Sequence, residues 1–249
     1  MPAGGHLEGC RIGFDAGGSD RKVSAVVNGE VIHSEEVVWF PKVNEDPDYH
    51  YAGILDSFRR AAAKMPRVDA IGVSSAGIYI DNEVRVASLF IKVPQDLFDE
   101  KVRNMYIRAA KEIGDVPLTV ANDGDVTALA GALSLKDGRV LGIAMGTSEA
   151  VGYVNKDGNL NGWLSELAFV PVDYNKGAMV DEWSGDYGCG VKYFSQDSVI
   201  KLAGFAGIEL DENASPAEKL KVVQELMKEH DPRAVSYTHL RAHETRHDL

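Results

Sequence analysis

The strand-and-turn segment Arg11-Ile-Gly-Phe-Asp15-Ala-Gly-Gly-Ser19 recurs in outline 129 residues later as Val140-Leu-Gly-Ile-Ala-Met-Gly-Thr-Ser148. The shift aligns Gly13 with Gly142, Gly17 with Gly146 and Ser19 with Ser148, and it aligns the hairpin glycine Gly29 with Gly158. Each copy predicts a buried strand, a small-residue turn, a second short strand and a tight turn at Asn28-Gly29 or Asp157-Gly158. A repeat this long implies two related lobes, because solenoid repeats run roughly 20–50 residues. Matching Gly-Ser/Thr turns on two lobes predict a cleft with phosphate-holding loops on both walls, the layout of a nucleotide-dependent phosphotransferase.

Charge and cysteine content narrow the partners. A formal net charge of −12 over 249 residues argues against nucleic acid, which needs clustered Lys and Arg. It leaves ATP open, because phosphate loops act through backbone N–H groups and Mg²⁺. Cys10 and Cys189 provide no disulfide framework, so a reducing cytoplasm is the expected compartment. No apolar run is long enough to predict a membrane span, and no charged-then-apolar leader opens the chain.

Along the chain, strands are expected near 11–15, 23–28 and 31–39. A helix carrying Ile54, Phe58 and Ala61 follows, and then a buried strand from Asp69 to a small-residue turn at Gly77. A second helix is expected through Phe98, Val102, Met105 and Ile113, a short strand at 118–121, and a third helix through Val126 to Leu133. This gives an N-terminal lobe over 11–137. A partial C-terminal lobe over 138–234 opens with strand, turn, strand, and includes a helix with Ser215-Pro216 as N-cap and first residue. The stretch Ser236 to Leu249 holds three of the seven histidines and no apolar periodicity. It resembles translated sequencing-adapter read-through, so 235–249 is expected to be a non-native disordered tail and the natural sequence to stop near Ala234. A lobe repeating the first would run to roughly residue 265, so the second lobe is expected to be incomplete and this chain to show little ATP-dependent activity.

Asp15 ends the first strand, where it can hold a hydrated Mg²⁺, while Gly17, Gly18 and Ser19 can approach a phosphate. A plain strand-to-strand turn is the alternative, and the second copy, Gly146-Thr147-Ser148, favours the phosphate reading. There is no Walker loop and no dinucleotide fingerprint. Asn122-Asp123 falls at the end of a strand and the start of a helix, where ligands of open α/β sheets bind. The helix N-terminus there is expected to keep Asp123 ionised and able to accept a proton from a hydroxyl. Ordinary capping is the alternative. Asp125 is expected to face solvent. Glu166 lies in an otherwise apolar stretch, either contacting a ligand hydroxyl or standing on a surface loop. No structural zinc is expected, since Cys189 has no cysteine or histidine near it in sequence.

Asp15-Ala-Gly-Gly-Ser, Val120-Ala-Asn-Asp-Gly-Asp125, Met145-Gly-Thr-Ser148 and Ser165-Glu166 come in the order and spacing of the ROK sugar kinases, and the chain resembles that family from about Arg11 to Ala203. The resemblance implies an RNase H-like, actin/hexokinase-type two-lobe α/β fold with mixed sheets, and ATP and Mg²⁺ as cofactors. It implies Asp123 as general base, Asn122, Glu166 and Gly77 as substrate-binding residues, and Asp15 with both turns as the ATP–Mg²⁺ loops. A small-molecule sugar is the expected partner, with a homodimer as a further possibility and no nucleic acid or membrane. Three positions depart from the family pattern. Phe169 stands where the family has a sugar-binding histidine, Val191 where it has a glutamate, and Glu149 where it usually has a small residue. The substrate is then an amino sugar, a less polar sugar derivative or another polyol. The alternatives are a catalytically silent sugar-binding relative, an ATPase that drives a partner protein, and a sugar-sensing regulator. A regulator of this family carries an N-terminal helix-turn-helix, for which a first strand at Arg11 leaves no room.

Overall fold

The computed structural model describes residues 6–146, 148–182 and 184–234, so Thr147, Trp183 and the 235–249 tail lie outside the described residues. The chain packs as two units, one reaching to Ile143 and including Val151–Ser165, the other comprising Ala144–Ala150 and the chain from Glu166 onward.

In the first unit, β1 (Cys10–Ala16), β2 (Asp20–Val27), β3 (Glu30–Val38), β4 (Ala70–Ser75) and β7 (Leu118–Asn122) form one sheet in the order β3-β2-β1-β4-β7. β1 runs antiparallel to β2 and parallel to β4, which runs parallel to β7. Strand β1 alternates, so Cys10, Ile12, Phe14 and Ala16 are buried. Helices α1 (Pro47–Ala62) and α3 (Met105–Ile113) pack against each other, and Ile54, Phe58, Met105, Tyr106 and Ala109 join the sheet residues in one core. Phe58 meets Phe14 edge-on at 5.4 Å. Fully burying a side chain such as Ile54 or Phe58 stabilises by roughly 1.5–3 kcal/mol. Asp46 caps α1 by accepting a hydrogen bond from the Asp48 N–H, and Pro47 opens the helix.

Two features of this unit differ from expectation. A hairpin of β5 (Ile78–Ile80) and β6 (Glu83–Val86) follows β4, turning through Asp81 and Asn82 at positive φ. The Asn82 amide then hydrogen-bonds the backbone of β7, donating to the Leu118 carbonyl and accepting from the Val120 N–H. The expected single helix through Phe98 and Ile113 is divided into α2 (Gln95–Leu97), a wide turn over Phe98–Val102, and α3. The Arg103 carbonyl, which a continuous helix would use internally, accepts from Val84 N–H of β6 at 2.9 Å instead.

The repeated segment forms β8 (Val140–Met145) and β9 (Glu149–Val154), which pair into a two-stranded sheet, with α4 (Asp123–Leu135) preceding them. Beyond the Asn155–Gly158 turn, the chain pairs back through a single bridge, Val154 to Leu160. Helix α4 lies so close to these strands that a β-carbon at Gly124 would stand 2.4 Å from Val151 N, and one at Gly142 2.4 Å from Ala128 N. In the second unit, α5 (Gln196–Phe205) and α6 (Pro216–Lys228) each begin with a capping box, at Ser195/Ser198 and Ser215/Glu218. They enclose Ala203, Ile208, Val223 and Ala234. No helix among the described residues is long and apolar enough to cross a membrane.

The backbone contact at Gly142 leaves no room for a methyl group. Gly142→Ala is expected to destabilise the protein by about 2–3 kcal/mol in urea unfolding, the cost of overpacking against backbone that cannot move aside.

Candidate active site

The parallel strands bring their carboxyl ends to common levels. Asp15 pairs with Ser74 and Ala16 with Ser75, while Ser74 pairs with Ala121 and Ser75 with Asn122. Ala16, Ser75 and Asn122 therefore form one row across the sheet, with Asp15 one residue before it on β1 and Asp123 one residue after it as the first residue of α4.

Asn122 is the N-cap of α4. Its Oδ1 accepts from the Gly124 N–H at 2.8 Å, and its Nδ2 donates to the Gly77 carbonyl at 2.9 Å. The amide thereby ties the start of α4 to the turn after β4 and keeps one N–H and one lone pair for a ligand. Gly77 has φ +125°, and a β-carbon there would stand 2.3 Å from the Val86 carbonyl oxygen. Only glycine lets the turn lie against β6. Beneath the turn, the Tyr79 hydroxyl donates to Ser75 Oγ at 2.7 Å and to the Ala76 carbonyl at 2.9 Å, and Ser75 Oγ shares a 3.0 Å bond with the Tyr106 hydroxyl. Burial pushes the Tyr106 phenol up to about 12 and that of Tyr79 well above its ordinary value, so both stay neutral. Sequence reasoning missed this support, for which two tyrosines far apart in the chain carry no local signal.

Asp123 is half-buried, its Oδ1 accepting from the Gly124 N–H at 3.1 Å. Burial raises its pKa above the usual carboxylate range; the Gly124 bond opposes that shift and the charge of Asp15 reinforces it. The direction is opposite to the one expected from the helix N-terminus alone, because desolvation outweighs the dipole. Asp125 also departs from expectation. It is half-buried and accepts a backbone hydrogen bond from Tyr153, and burial raises its carboxyl too.

The turn joining β1 to β2 carries Gly17, Gly18 and Ser19. Trp39, at the end of β3, holds it from behind, donating from Nε1 to the Gly17 carbonyl at 2.8 Å and from its backbone N–H to the Ser19 carbonyl at 3.1 Å. The Ser19 hydroxyl donates to Asp20 Oδ2 at 3.0 Å. Lys42 reaches over the turn, so that a β-carbon at Gly18 would lie 3.1 Å from Lys42 Nζ. Lys42 is distant in sequence and was not anticipated.

The second turn belongs to the second unit. Gly146 N–H donates to the Ser148 carbonyl at 3.0 Å, and the Gly146 carbonyl accepts from Gln196 N–H, the first residue of α5, at 2.8 Å. Thr147, expected here, lies outside the described residues. Glu166 precedes a tight turn over Leu167–Phe169 in the same unit. Cys189 is a buried free thiol whose pKa is raised by that burial. Near it, Lys192 is buried and paired with Asp181 at 3.2 Å and with Glu182. Asp15, Gly77, Asn122 and Asp123 thus come together within one unit, and Gly146, Ser148 and Glu166 lie in the other.

No protein-family model and no curated protein matches the sequence. Solved structures do resemble it. A ROK family glucokinase from Streptomyces griseus, in complex with glucose and AMPPNP, aligns with a TM-score of 0.65 over 92% of this chain and 74% of its own, at 21% identity. The fold is that of the ROK family. A ROK hexokinase from Thermus thermophilus aligns with a TM-score of 0.60 over 92% of this chain and 72% of its own, at 16% identity. A ROK family transcriptional regulator, a homolog of the E. coli MLC protein, aligns at 0.64 over 93% of this chain and 59% of its own, at 18% identity. Proteins described as kinases and as a regulator thus share this mixed α/β fold, and the chemistry of this chain has to be argued from residues.

The burial of Asp123 predicts a pH signature. The folded state holds this proton more tightly than the unfolded chain, so stability falls as pH rises from the ordinary carboxylate value through the raised one. Asp123→Asn is expected to raise the melting temperature at pH 7, and the gain is expected to vanish below about pH 4, where the unfolded carboxyl is protonated as well.

Proposed function

We infer that the protein is an ATP-dependent carbohydrate kinase that phosphorylates a hydroxyl of a sugar or sugar derivative. The observation that carries this reading is Asp123, a half-buried carboxyl with a raised pKa at the carboxyl end of a parallel strand, in the electrostatic field of Asp15. A base of raised pKa accepts a proton more readily near neutral pH. In this reading Asp123 takes the hydroxyl proton as the oxygen attacks the γ-phosphate. Asn122 offers its spare N–H and lone pair to the sugar, Gly77 lines its path, and Glu166 contacts a hydroxyl. Gly17, Gly18 and Ser19, with Gly146, Thr147 and Ser148, hold the phosphates.

Asp15 and Asp123 repel each other, and their negative charge suits a hydrated Mg²⁺ held through Asp15. When bound, the ion neutralises charge on the transferring phosphoryl group. We add Lys42 to the phosphate-binding set on the strength of its ammonium beside Gly18. The glucokinase and the hexokinase of like fold agree with this reading. A catalytically silent sugar binder is the second reading, favoured by Phe169 and Val191 at positions where the family resemblance places a histidine and a glutamate.

The test is a sugar panel followed by calorimetry and coupled ADP detection, on this chain and on a full-length homologue with the same residues. Sugar-dependent ADP release supports the kinase. Sugar heat without ADP release in either protein supports the silent binder, and ADP release independent of sugar supports a partner-driving ATPase. In the active protein, Asp123→Asn is expected to lower kcat by about 100-fold or more with little change in sugar KM. Lys42→Ala is expected to weaken MgATP by about tenfold in calorimetry, consistent with loss of one charge-assisted contact, and an unchanged affinity would remove Lys42 from the site.

A further inference from the structure

His50 on α1 is fully buried, and both of its ring nitrogens end on carbonyl oxygens. Nδ1 lies 3.0 Å from the Asp46 carbonyl and Nε2 lies 2.9 Å from the Pro41 carbonyl. A carbonyl oxygen only accepts, so the two contacts call for two donors. Neutral imidazole has one N–H and one lone pair in either tautomer, and the lone pair would oppose a carbonyl at hydrogen-bond distance. The imidazolium donates from both nitrogens. It is the one form in which this buried ring has every polar atom paired.

The surroundings fit that form. The rings of Phe90, Tyr49 and Trp39 stand edge-on around the imidazole, with centroids at 5.0, 5.7 and 6.3 Å. Phe90 and Trp39 bring no charge, and the Tyr49 hydroxyl is engaged by the Phe40 N–H at 2.9 Å. The charged groups on adjoining elements are Asp46 and Asp48 at the start of α1, Lys42 on the loop before it, and Lys101, which pairs with Asp48 at 2.9 Å. The N-terminus of α1 opposes a cation, and the two charge-assisted bonds with the acids of that first turn offset it.

The two carbonyls bracket the loop from Pro41 to Asp46, so the ring closes that loop like a clasp. Within it, Asn44 N–H also reaches the Pro41 carbonyl at 3.3 Å, and the Asn44 side-chain amide donates to the Phe40 carbonyl at 2.9 Å. The Pro41 carbonyl belongs to the peptide that joins Pro41 to Lys42. The bond from Nε2 therefore fixes the direction in which Lys42 leaves the loop, and Lys42 lays its stem and ammonium across Gly18. Trp39, beside the same ring, donates to the Gly17 carbonyl. Both groups that close over the first glycine turn are thus braced by His50.

We propose that His50 is the positioning residue of the first phosphate turn: its imidazolium clasps the Pro41–Asp46 loop and holds Lys42 over Gly18, and loss of one proton releases Lys42. This rests on the reading of that turn as a phosphate site and adds a dependence on pH to it. The neutral ring has to let one carbonyl go, and the Lys42 ammonium then loses its fixed place beside the phosphate.

Two measurements test this on the 249-residue chain. Imidazole nitrogen NMR of the unmodified protein is expected to show both His50 nitrogens protonated at about pH 6 and one of them released as pH rises through the histidine range. Calorimetry of MgATP is then run from about pH 6 to about pH 8.5 on the unmodified protein, His50→Gln and Lys42→Ala. Glutamine keeps an N–H for the Pro41 carbonyl and does not titrate, so ionisation of the nucleotide itself cancels in the comparison. Relative to His50→Gln, the unmodified protein is expected to lose about tenfold in MgATP affinity, the effect of one charge-assisted contact, with the midpoint that NMR gives for His50. Lys42→Ala is expected to show no such loss, because His50 acts through Lys42. A single protonated nitrogen at about pH 6 overturns the clasp, as does an affinity ratio that stays constant with pH or a loss that persists in Lys42→Ala. Each of these leaves the phosphate turn standing. Absence of MgATP binding by all three proteins overturns the phosphate turn and the positioning role with it, whatever the NMR shows.

Discussion

Parallel pairing of β1 with β4, and of β4 with β7, sets the positions of Asp15, the Gly77 turn, Asn122 and Asp123 in the first unit. A parallel register aligns strand ends, so Asp15, the Ser75–Gly77 turn and Asn122-Asp123 arrive at one edge of the sheet although they are far apart in sequence. The pairing is stable because β1 buries alternate residues against α1 and α3, and a slip of one residue would send Ile12 and Phe14 to the opposite face. The same slip would carry Asp15 into the core. Catalytic placement and core packing are therefore one constraint.

At that edge two electrostatic effects compete over Asp123. A helix N-terminus stabilises a carboxylate by about 0.3–1 kcal/mol where it is exposed, whereas burial can move a carboxyl by several pKa units. Half-burial beside Asp15 lets desolvation prevail, and the carboxyl is raised. Asn122 makes this environment rigid, since its amide holds both the first turn of α4 and the Gly77 turn. The Tyr79–Ser75–Tyr106 network in turn supports that loop with neutral phenols, adding no charge near the acid.

Much of this was legible in the sequence because it is carried by local periodicity and by the repeat. The alternation in β1, the apolar stripe of α1, the Ser215-Pro216 start of α6 and the strand–turn–strand of both copies all appear as expected. The β5–β6 hairpin was missed although Asp81-Asn82 carries a turn signal, since its strands are short and the small-residue turn before it drew the boundary. The break before α3 was not legible, because it depends on Arg103 bonding a hairpin residue distant in sequence. The site divides in the same way. Asp15, Asn122 and Asp123 stand at strand ends that periodicity locates, whereas Lys42 and Trp39 reach the first turn only through tertiary packing.

The two copies of the turn show how a repeat diverges once its backbone is set. Both keep a glycine turn followed by an acid, yet each is supported differently. Trp39 and Lys42 close over the first, while the start of α5 hydrogen-bonds the second through Gly146. The close approach of α4 to β8 and β9 accounts for the change at Val151. Gly124 lies against the Val151 backbone, and Val151 is itself buried, a place where a lysine ammonium would lose its water. The position that carries Lys22 in the first copy is therefore apolar in the second.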